Sequence, residues 1–380
     1  MEEVLKVLEN PSLAFLALLK AGLWEEEVRF ASFGDVNCSE IYRLAREQSV
    51  VGLVAAGLEH LASGKVPQEL ALNLAGEVLQ LEQRNTAMNQ FVAQTVERMR
   101  SNGIYTLLVK GQGIAQCYER PQWRSSGDID FFLSEDNYKK AEDFLSELAT
   151  NVSGKESYSQ HLAMTIGAWV VELHGTLRSG LWRTMDRTLD EVQYDIICGG
   201  NVRTWMNGNT QVFIPRADED VVYVFSHILE HFFKEGIGLR QICDWCRLLW
   251  TYKEILNLRL LESRLKKMGV MTEWKAFFNL ASRYLDMPDL DTSFMCRDSR
   301  FDKKADRIMA FVLETGNFGH NRDYSYQKKY PYVVFKAISM WKHLVDGCRF
   351  LMVFPLDAIK VTWRRMCVGF AVVIKGKRHE

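Results

Sequence analysis

The sequence predicts an α+β protein in which a mixed, twisted sheet with helices is flanked by helical N- and C-terminal regions. Short strand-like apolar runs are concentrated between residues 101 and 215. Before and after this region, apolar residues recur at helical spacing instead. Because 380 residues exceed the usual size of one domain, we expect three parts, 1–100, 101–215 and 216–380.

The N-terminal part is predicted to be helical throughout. Helical periodicity covers the stretches from Val4 to Leu8, Leu13 to Leu19, Ala45 to Leu61 and Leu70 to Met99. The last stretch precedes Asn102-Gly103, a pair typical of a helix end. Its helix should therefore lead directly into the first strand of the sheet.

The central part reads as a β-α-β unit followed by a hairpin, and we expect the helices on one side of the sheet. Its predicted elements are a strand at Ile104–Val109, a short helix, a strand at Asp128–Leu133, a helix opened by Ser134, a turn at Asn151–Glu156, hairpin strands at 161–166 and 169–173 around Gly167-Ala168, and a strand ending at Pro215.

From Asp218 onward the pattern is again helical, with a break at Gly236-Ile237-Gly238. Further helices are predicted at Arg240–Tyr252, Ile255–Lys267 and Lys304–Thr315. The segment from Tyr330 is apolar and basic, but its apolar runs are shorter than the roughly 20 residues of a spanning helix. A core or dimer-interface helix is expected there, with a membrane-surface helix as the alternative and homo-oligomerisation left open.

Composition indicates an ordinary soluble protein, with 47% hydrophobic and 25% charged residues. A net charge of −1 gives no overall attraction to nucleic acid or to an anionic membrane. The acidic start lacks the basic-then-apolar order of a signal peptide. We therefore expect a cytoplasmic protein whose eight cysteines are free thiols.

The Asp128-Ile129-Asp130 motif is the strongest chemical signal. Strand alternation places both aspartates on one face, and Glu172 with His174 on one face of a later strand. Neighbouring carboxylates repel each other unless a cation lies between them, and a hard divalent ion takes oxygen ligands. In the alternative interpretation, Asp128 is a turn residue, Asp130 is a solvent-facing strand residue, and Glu172 is unrelated to them. The preceding glycines and the later acid on its own strand favour a two-metal site for phosphoryl transfer.

Phosphate contacts are predicted around the same motif. Lys110 would supply a point charge, and Gly111 and Gly113 would expose backbone N–H groups to an anion. Arg124 and Ser126 precede the aspartates and are further candidates, with a surface or structural role as the alternative for Arg124. His174 is expected to orient Glu172 or assist proton transfer, unless it is a structural histidine.

These motifs resemble the nucleotidyltransferase superfamily related to DNA polymerase beta, most closely an uncharacterised bacterial branch with a Leu-Lys-Gly…Asp-Ile-Asp core. The residues that carry the resemblance are Val109-Lys110-Gly111, Tyr118, Arg124, Asp128-Ile129-Asp130, Glu172-Leu173-His174, His227, His231, Arg240 and Asp244. It implies a polymerase-beta-like core with Asp128, Asp130 and Glu172 as catalytic metal ligands. It further implies that His231 and Arg240 line the nucleotide pocket.

The resemblance implies transfer of a nucleoside monophosphate from an NTP, with Mg²⁺ or Mn²⁺, to an acceptor that is a small molecule, a sugar, a protein or RNA. Transfer of the γ-phosphoryl group and a non-catalytic interaction protein are the alternatives.

Two further motifs suggest other chemistry. The residues His227, Glu230 and His231 also match the H-x-x-E-H pattern of a zinc peptidase. Cys243 and Cys246 form a C-x-x-C pair, which we interpret as buried free thiols because it lies inside a predicted helix. Arg240 and Asp244 are spaced to pair along that helix.

Overall fold

The computed structural model describes residues 10–29, 33, 36–62, 68–156, 160–290, 292–322, 329 and 332–364. The helix predicted around Val4 to Leu8 lies outside the described residues, as does the tail beyond Arg364. The described helices are all too short or too polar to cross a bilayer.

Four helices precede the sheet: α1 (Asn10–Trp24), α2 (Cys38–Glu47), α3 (Val51–Glu59) and α4 (Gln68–Ser101). The helix predicted from Leu70 to Met99 is confirmed by α4. The periodic stretch from Ala45 to Leu61 is divided between α2 and α3. Ser49 lies at the division with a φ of +56°, a value that no right-handed helix accommodates.

Helices α1 and α3 approach each other through glycines. A Cβ atom added at Gly57 would lie 2.0 Å from the Leu18 carbonyl oxygen, and one at Gly22 would lie 1.9 Å from the Leu53 carbonyl oxygen. Both clashes are with backbone atoms, which cannot rotate away. The two helix axes can therefore be this close only because these positions have no side chain.

Gly57→Ala is expected to lower the free energy of unfolding by roughly 1–3 kcal/mol, because the added methyl group forces the two helices apart. Chemical denaturation measures this change. The control is Gly76→Ala on the exposed face of α4, where nothing lies within 4 Å of the added atom. There the better helix former should stabilise the protein by about 0.5–1 kcal/mol. Equal stability of the two variants would contradict the close-packing account.

The described residues contain seven strands, which form one mixed sheet in the order β3-β4-β5-β2-β1-β7-β6. They are β1 (Leu107–Val109), β2 (Ile129–Phe132), β3 (Asn151–Glu156), β4 (His161–Ile166), β5 (Trp169–His174), β6 (Val202–Asn207) and β7 (Thr210–Pro215). At its centre, β2 is antiparallel to β1 and parallel to β5. The predicted α+β class with a mixed sheet is confirmed.

The strand predictions hold at the centre of the sheet and fail at its edges. The hairpin of β4 and β5 and the strand ending at Pro215 are confirmed, and the first strand is shorter than predicted. The turn predicted at Asn151–Glu156 is wrong, because these residues form β3 and pair with β4. Strand β6 was not predicted and pairs with β7. Both lie at the edges of the sheet, where strand formation depends on a partner strand more than on local sequence.

Nine further α-helices, besides a final helical stretch, accompany and follow the strands in the described residues. They are α5 (Gly111–Ala115), α6 (Glu135–Ser146), α7 (Arg183–Ile197), α8 (Ala217–Lys234), α9 (Leu239–Tyr252), α10 (Leu258–Met268), α11 (Met271–Tyr284), α12 (Asp302–Thr315) and α13 (Tyr332–Leu351). The break predicted at Gly236–Gly238 separates α8 from α9 and is confirmed. A last helical stretch covers residues 355–364. Phe350 and Phe354 of the apolar segment are buried in the core.

Helices cover both faces of the sheet, so the expectation of helices on one side is wrong. Leu108 and Phe131 pack with the second half of α4 and with α6. Their chain neighbours Val109 and Phe132 point the other way and join a larger core that includes α8 and α9. Asp130 shares the face of Phe132, so its carboxylate points toward the C-terminal helices.

Glu273 of α11 is a buried acid whose charge depends on folding. Burial and the neighbouring Asp357 carboxylate raise the pKa of Glu273 from 4.5 to about 8. The folded state therefore holds a proton that the unfolded chain loses above pH 4.5. Consequently this contribution to the free energy of unfolding should fall as the pH rises from about 4.5 to about 8.

In Glu273→Gln this pH dependence should be largely removed, because the amide cannot ionise. Denaturant unfolding at a series of pH values from 5 to 9 compares the two proteins. The variant should lose less stability than the wild type across this range. Parallel pH profiles for variant and wild type would refute the assignment.

Candidate metal and nucleotide site

The sheet brings together the three acids that the sequence singled out. Asp130 on β2 lies in register with Glu172 on the parallel strand β5, so the two side chains share a face. Asp128 immediately precedes β2. One carboxylate oxygen from each of these three residues lies within 4.8 Å of the others. This cluster is partly buried, and the Asp130 side chain is almost fully enclosed.

Lys110 follows β1 and contacts the cluster directly. Its Nζ lies 2.7 Å from Asp130 Oδ1 and 5.9 Å from the centre of the Tyr223 ring. The backbone of Lys110 has φ +56° and ψ −145°, a strained conformation for a residue with a side chain. Such strain costs about 1–3 kcal/mol and is concentrated at functional sites. Gly111 follows with φ +38°, which glycine adopts without strain.

The charges at this cluster are unbalanced. Repulsion from Asp130 and burial raise the pKa of Asp128. Burial also opposes ionisation of Asp130, but the charge of Lys110 and a hydrogen bond from His174 outweigh it and lower the pKa of Asp130. The charged form of Asp128 is therefore disfavoured by its surroundings, and a cation bound between the acids would relieve this repulsion. Three carboxylates in this arrangement offer the oxygen ligands that Mg²⁺ or Mn²⁺ takes, so the donor set fits a hard divalent ion.

Two histidines border the acids. His174 Nε2 lies 2.8 Å from Asp130 Oδ1 and 3.5 Å from Glu172 Oε2. His161 Nε2 lies 3.0 Å from the same Glu172 oxygen. Burial opposes ionisation of Glu172, but hydrogen bonds from both histidines prevail and hold its pKa well below the usual range. His161 was missed, although the predicted hairpin with a turn at Gly167-Ala168 places it directly opposite His174.

Arg124 and Ser126 belong to a network that supports the segment before Asp128. The Arg124 guanidinium donates to both oxygens of Asp244 on α9, each at 2.7 Å, and to Ser126 Oγ at 3.0 Å. The Tyr118 hydroxyl donates to Asp244 at 2.8 Å. The suggested pairing of Asp244 with Arg240 along the helix is wrong, because Arg124 is the partner of Asp244.

Arg240 of α9 lies beside the segment that leads into Asp128. It donates to the Ser125 carbonyl oxygen at 2.9 Å, and its guanidinium is 5.6 Å from the Phe318 ring. Its Nε is buried and finds no hydrogen-bond acceptor among the described residues. Burial and the like charge of Arg124 lower the pKa of Arg240. A partly buried cation with a free N–H donor is suited to an anionic ligand.

Helix α8 adds His227 and His231. The His231 ring is 4.3 Å from the His227 ring and 4.8 Å from the Phe318 ring, centre to centre. Burial and the charge of Lys110 lower the pKa of His227 well below its usual value, so this ring is neutral beside the cluster. Phe318 was not predicted and has a positive φ of +51°.

The zinc-peptidase alternative finds no support in this geometry. His227, Glu230 and His231 are not among the three-residue groups of converging metal ligands in the described part of the chain. The Glu230 carboxylate instead accepts a hydrogen bond from Lys234 at 2.6 Å. His227 Nδ1 is 3.9 Å from Glu230, beyond hydrogen-bonding distance.

Other sequence candidates have structural surroundings. A Cβ atom added at Gly113 would lie 3.2 Å from the Ile214 side chain, so this glycine serves helix–sheet packing. Cys243 and Cys246 are free and buried, as predicted. Burial raises the pKa of both thiols, which makes them poor nucleophiles.

Comparison with known proteins identifies the family. Neither the curated proteins nor the solved structures include a match to this chain. The model of a family described as "Uncharacterised nucleotidyltransferase" matches residues 34–286, more than half of the chain. The match includes Lys110, the aspartates, Glu172 and Arg240, and it ends before Phe318. The chain therefore belongs to this family of uncharacterised nucleotidyltransferases.

Proposed function

We propose that the protein transfers a nucleoside monophosphate from an NTP to an acceptor and releases pyrophosphate. The observation that carries this proposal is the convergence of Asp128, Asp130 and Glu172 within 4.8 Å, with Lys110 beside them. Bound Mg²⁺ or Mn²⁺ would supply charge stabilisation for the phosphates and for the attacking oxygen. The motif around Lys110 and the aspartates is our basis for placing the chain in the bacterial branch named above.

We assign roles to the residues of the site from their charges. Asp128, Asp130 and Glu172 hold the metal, and Lys110 offers a positive charge to the β- or γ-phosphate. Arg240 faces the site from α9 with an unused Nε donor, which supports a phosphate or base contact. Phosphoryl transfer depends mainly on positioning and charge, which these groups supply without covalent catalysis.

His174 and Arg124 act by positioning. His174 Nε2 hydrogen-bonds to Asp130 at 2.8 Å and lies 3.5 Å from Glu172 Oε2, so it holds these two carboxylates near each other. Arg124 fixes the segment of Ser125 and Ser126 that leads into Asp128. His231, which meets the Phe318 ring edge-on, is suited to contact the nucleotide.

Recognition of the acceptor is assigned to the helical parts of the chain. We propose that residues 1–100 and 216–380 recognise it around the central core at 101–215, and that the protein works in the cytoplasm. The net charge of −1 favours a small molecule, a sugar or a protein over long nucleic acid, while RNA could bind through a local patch.

Calorimetry of each of the four NTPs with and without Mg²⁺ tests this proposal, using the wild type and Asp128→Asn. We expect Mg²⁺-dependent binding of at least one NTP, weakened about tenfold or more in the variant, since a metal ligand is lost. Asp136→Asn on the exposed start of α6 is the control and should bind as the wild type does. If every NTP fails to bind the wild type, the non-catalytic interaction protein becomes the better explanation. Release of NDP instead of pyrophosphate would indicate γ-phosphoryl transfer.

A further inference from the structure

We propose that His161, His174 and Glu172 form a binding site for a divalent first-row transition metal, of which Zn²⁺ and Co²⁺ are representative. The site adjoins the three carboxylates described above and shares Glu172 with them, but its donor chemistry differs. It requires no nucleotide, so it can be tested independently of the proposed transfer reaction.

The backbone determines which side chains meet here. In the antiparallel pair of β4 and β5, His161 lies opposite His174, and Ala163 lies opposite Glu172. Residues that are opposite or two apart along a strand share a face, so both imidazoles and the carboxylate point the same way. Ala163 carries only a methyl group, which leaves the space beside Glu172 to the two histidine rings.

The donor atoms converge at the spacing of ligands on one ion. His161 Nε2 and His174 Nε2 lie 3.0 Å and 3.5 Å from the same atom, Glu172 Oε2. With metal–nitrogen and metal–oxygen bonds of about 2.0–2.2 Å, two ligands of one ion are roughly 3–3.5 Å apart. One donor atom from each of the three residues lies within 4.8 Å of the others. Only small side-chain shifts are needed to bind an ion.

Imidazole ligands distinguish this group from the neighbouring carboxylate cluster. Mg²⁺ prefers oxygen ligands, whereas two histidines and a carboxylate suit Zn²⁺, Co²⁺ and related ions. Asp130 Oδ1 lies 2.8 Å from His174 Nε2, so it adds negative charge beside the group without belonging to its three converging donors. The histidines therefore favour transition metals at one side of Glu172, and the aspartates favour a hard ion at the other.

The site is enclosed on one side and open on the other. The side chain of Asp130 is 2% exposed and that of His174 is 12% exposed, whereas His161 is 38% exposed. Negative charge from Asp130 and Glu172 thus lies in a partly dehydrated environment, which strengthens its attraction for a cation. The exposed edge of His161 provides the path by which an ion enters.

A purely structural role would leave the imidazoles as hydrogen-bond donors to Glu172. His161→Gln separates the two roles, because the glutamine amide can still donate to the carboxylate but is a poor ligand for a transition metal. His60→Gln is the matched control. His60 is also paired with a glutamate, with its Nε2 2.6 Å from Glu25 Oε2, but it belongs to the N-terminal helices.

The test uses the full-length protein stripped of metal with a chelator and titrated with Co²⁺ in millimolar Mg²⁺. The visible d–d absorption of Co²⁺ reports its coordination, and elemental analysis after desalting counts the bound ions. We expect one Co²⁺ per chain in the wild type, in His60→Gln and in Asp128→Asn. His161→Gln should bind Co²⁺ at least about tenfold more weakly. Circular dichroism and the unfolding midpoint establish that the variants are folded.

Two outcomes would overturn the metal site: no Co²⁺ retained by the wild type, or equal Co²⁺ affinity in the wild type and His161→Gln. Loss of Co²⁺ binding in Asp128→Asn as well would show that the ion occupies the carboxylate cluster, which also contradicts the proposal. If no NTP binds but Co²⁺ binding depends on His161, the transfer reaction is refuted. The proposed metal site is still supported in that case.

Discussion

Asp130→Asn is expected to reduce nucleotidyl transfer by at least about a thousandfold. Asp130 is the central acid of the cluster, in register with Glu172 and in contact with Lys110 and His174. Asparagine preserves the shape of the side chain but removes the charge. A metal ion contributes several kcal/mol to stabilising the transition state, and about 4 kcal/mol corresponds to a thousandfold change in rate.

The measurement is the rate of pyrophosphate release with the NTP that calorimetry identifies, together with Mn²⁺ affinity by electron paramagnetic resonance. Asp136→Asn again serves as the control, since it removes one exposed negative charge far from the sheet face of Asp130. A variant that retains both its pyrophosphate release and its Mn²⁺ affinity would rule out Asp130 as a metal ligand.

Asp244→Ala is expected to lower the free energy of unfolding by about 3–5 kcal/mol, because it leaves the buried Arg124 guanidinium without its counter-ion. The two side chains are each only 6% exposed and form two hydrogen bonds of 2.7 Å. Tyr118 loses its hydrogen-bond acceptor in the same variant. Urea denaturation monitored by tryptophan fluorescence measures the loss.

Asp190→Ala provides the matched control for this pair. Asp190 accepts two hydrogen bonds of 2.7 Å and 2.6 Å from Arg178, so the geometry resembles that of Arg124 and Asp244. The side chains of Arg178 and Asp190 are 57% and 39% exposed, however, and an exposed pair contributes about 0–1 kcal/mol. If the two variants lose the same stability, burial is not the reason that the Arg124–Asp244 pair matters.

The central part of the site could be predicted because its signals are local. The Asp128-Ile129-Asp130 motif and the run at Trp169–His174 are short segments whose alternation shows which side chains share a face. Hairpin geometry around Gly167-Ala168 also determines that His161 lies opposite His174. His161 could therefore have been identified by counting residues outward from the turn.

Partners distant in sequence could not be predicted in this way. Arg124 and Asp244 are 120 residues apart, and spacing along α9 suggested a different partner for Asp244. The orphaned Nε of Arg240 and the position of Phe318 depend on how α9 packs beside the loop after α12. The local sequence around Arg240 and around Phe318 gives no indication of this packing.

The amino-acid pattern alone therefore determines the α+β class, the order of the central elements and the face on which the acids lie. These properties follow from side-chain alternation and helical spacing, which act over a few residues. Tertiary structure determines that Asp130 meets Glu172 across parallel strands, that Lys110 neutralises one acid, and that helices cover both faces of the sheet. These features depend on burial and on charges brought together by chain segments far apart in sequence, and such energies exist only in the folded molecule.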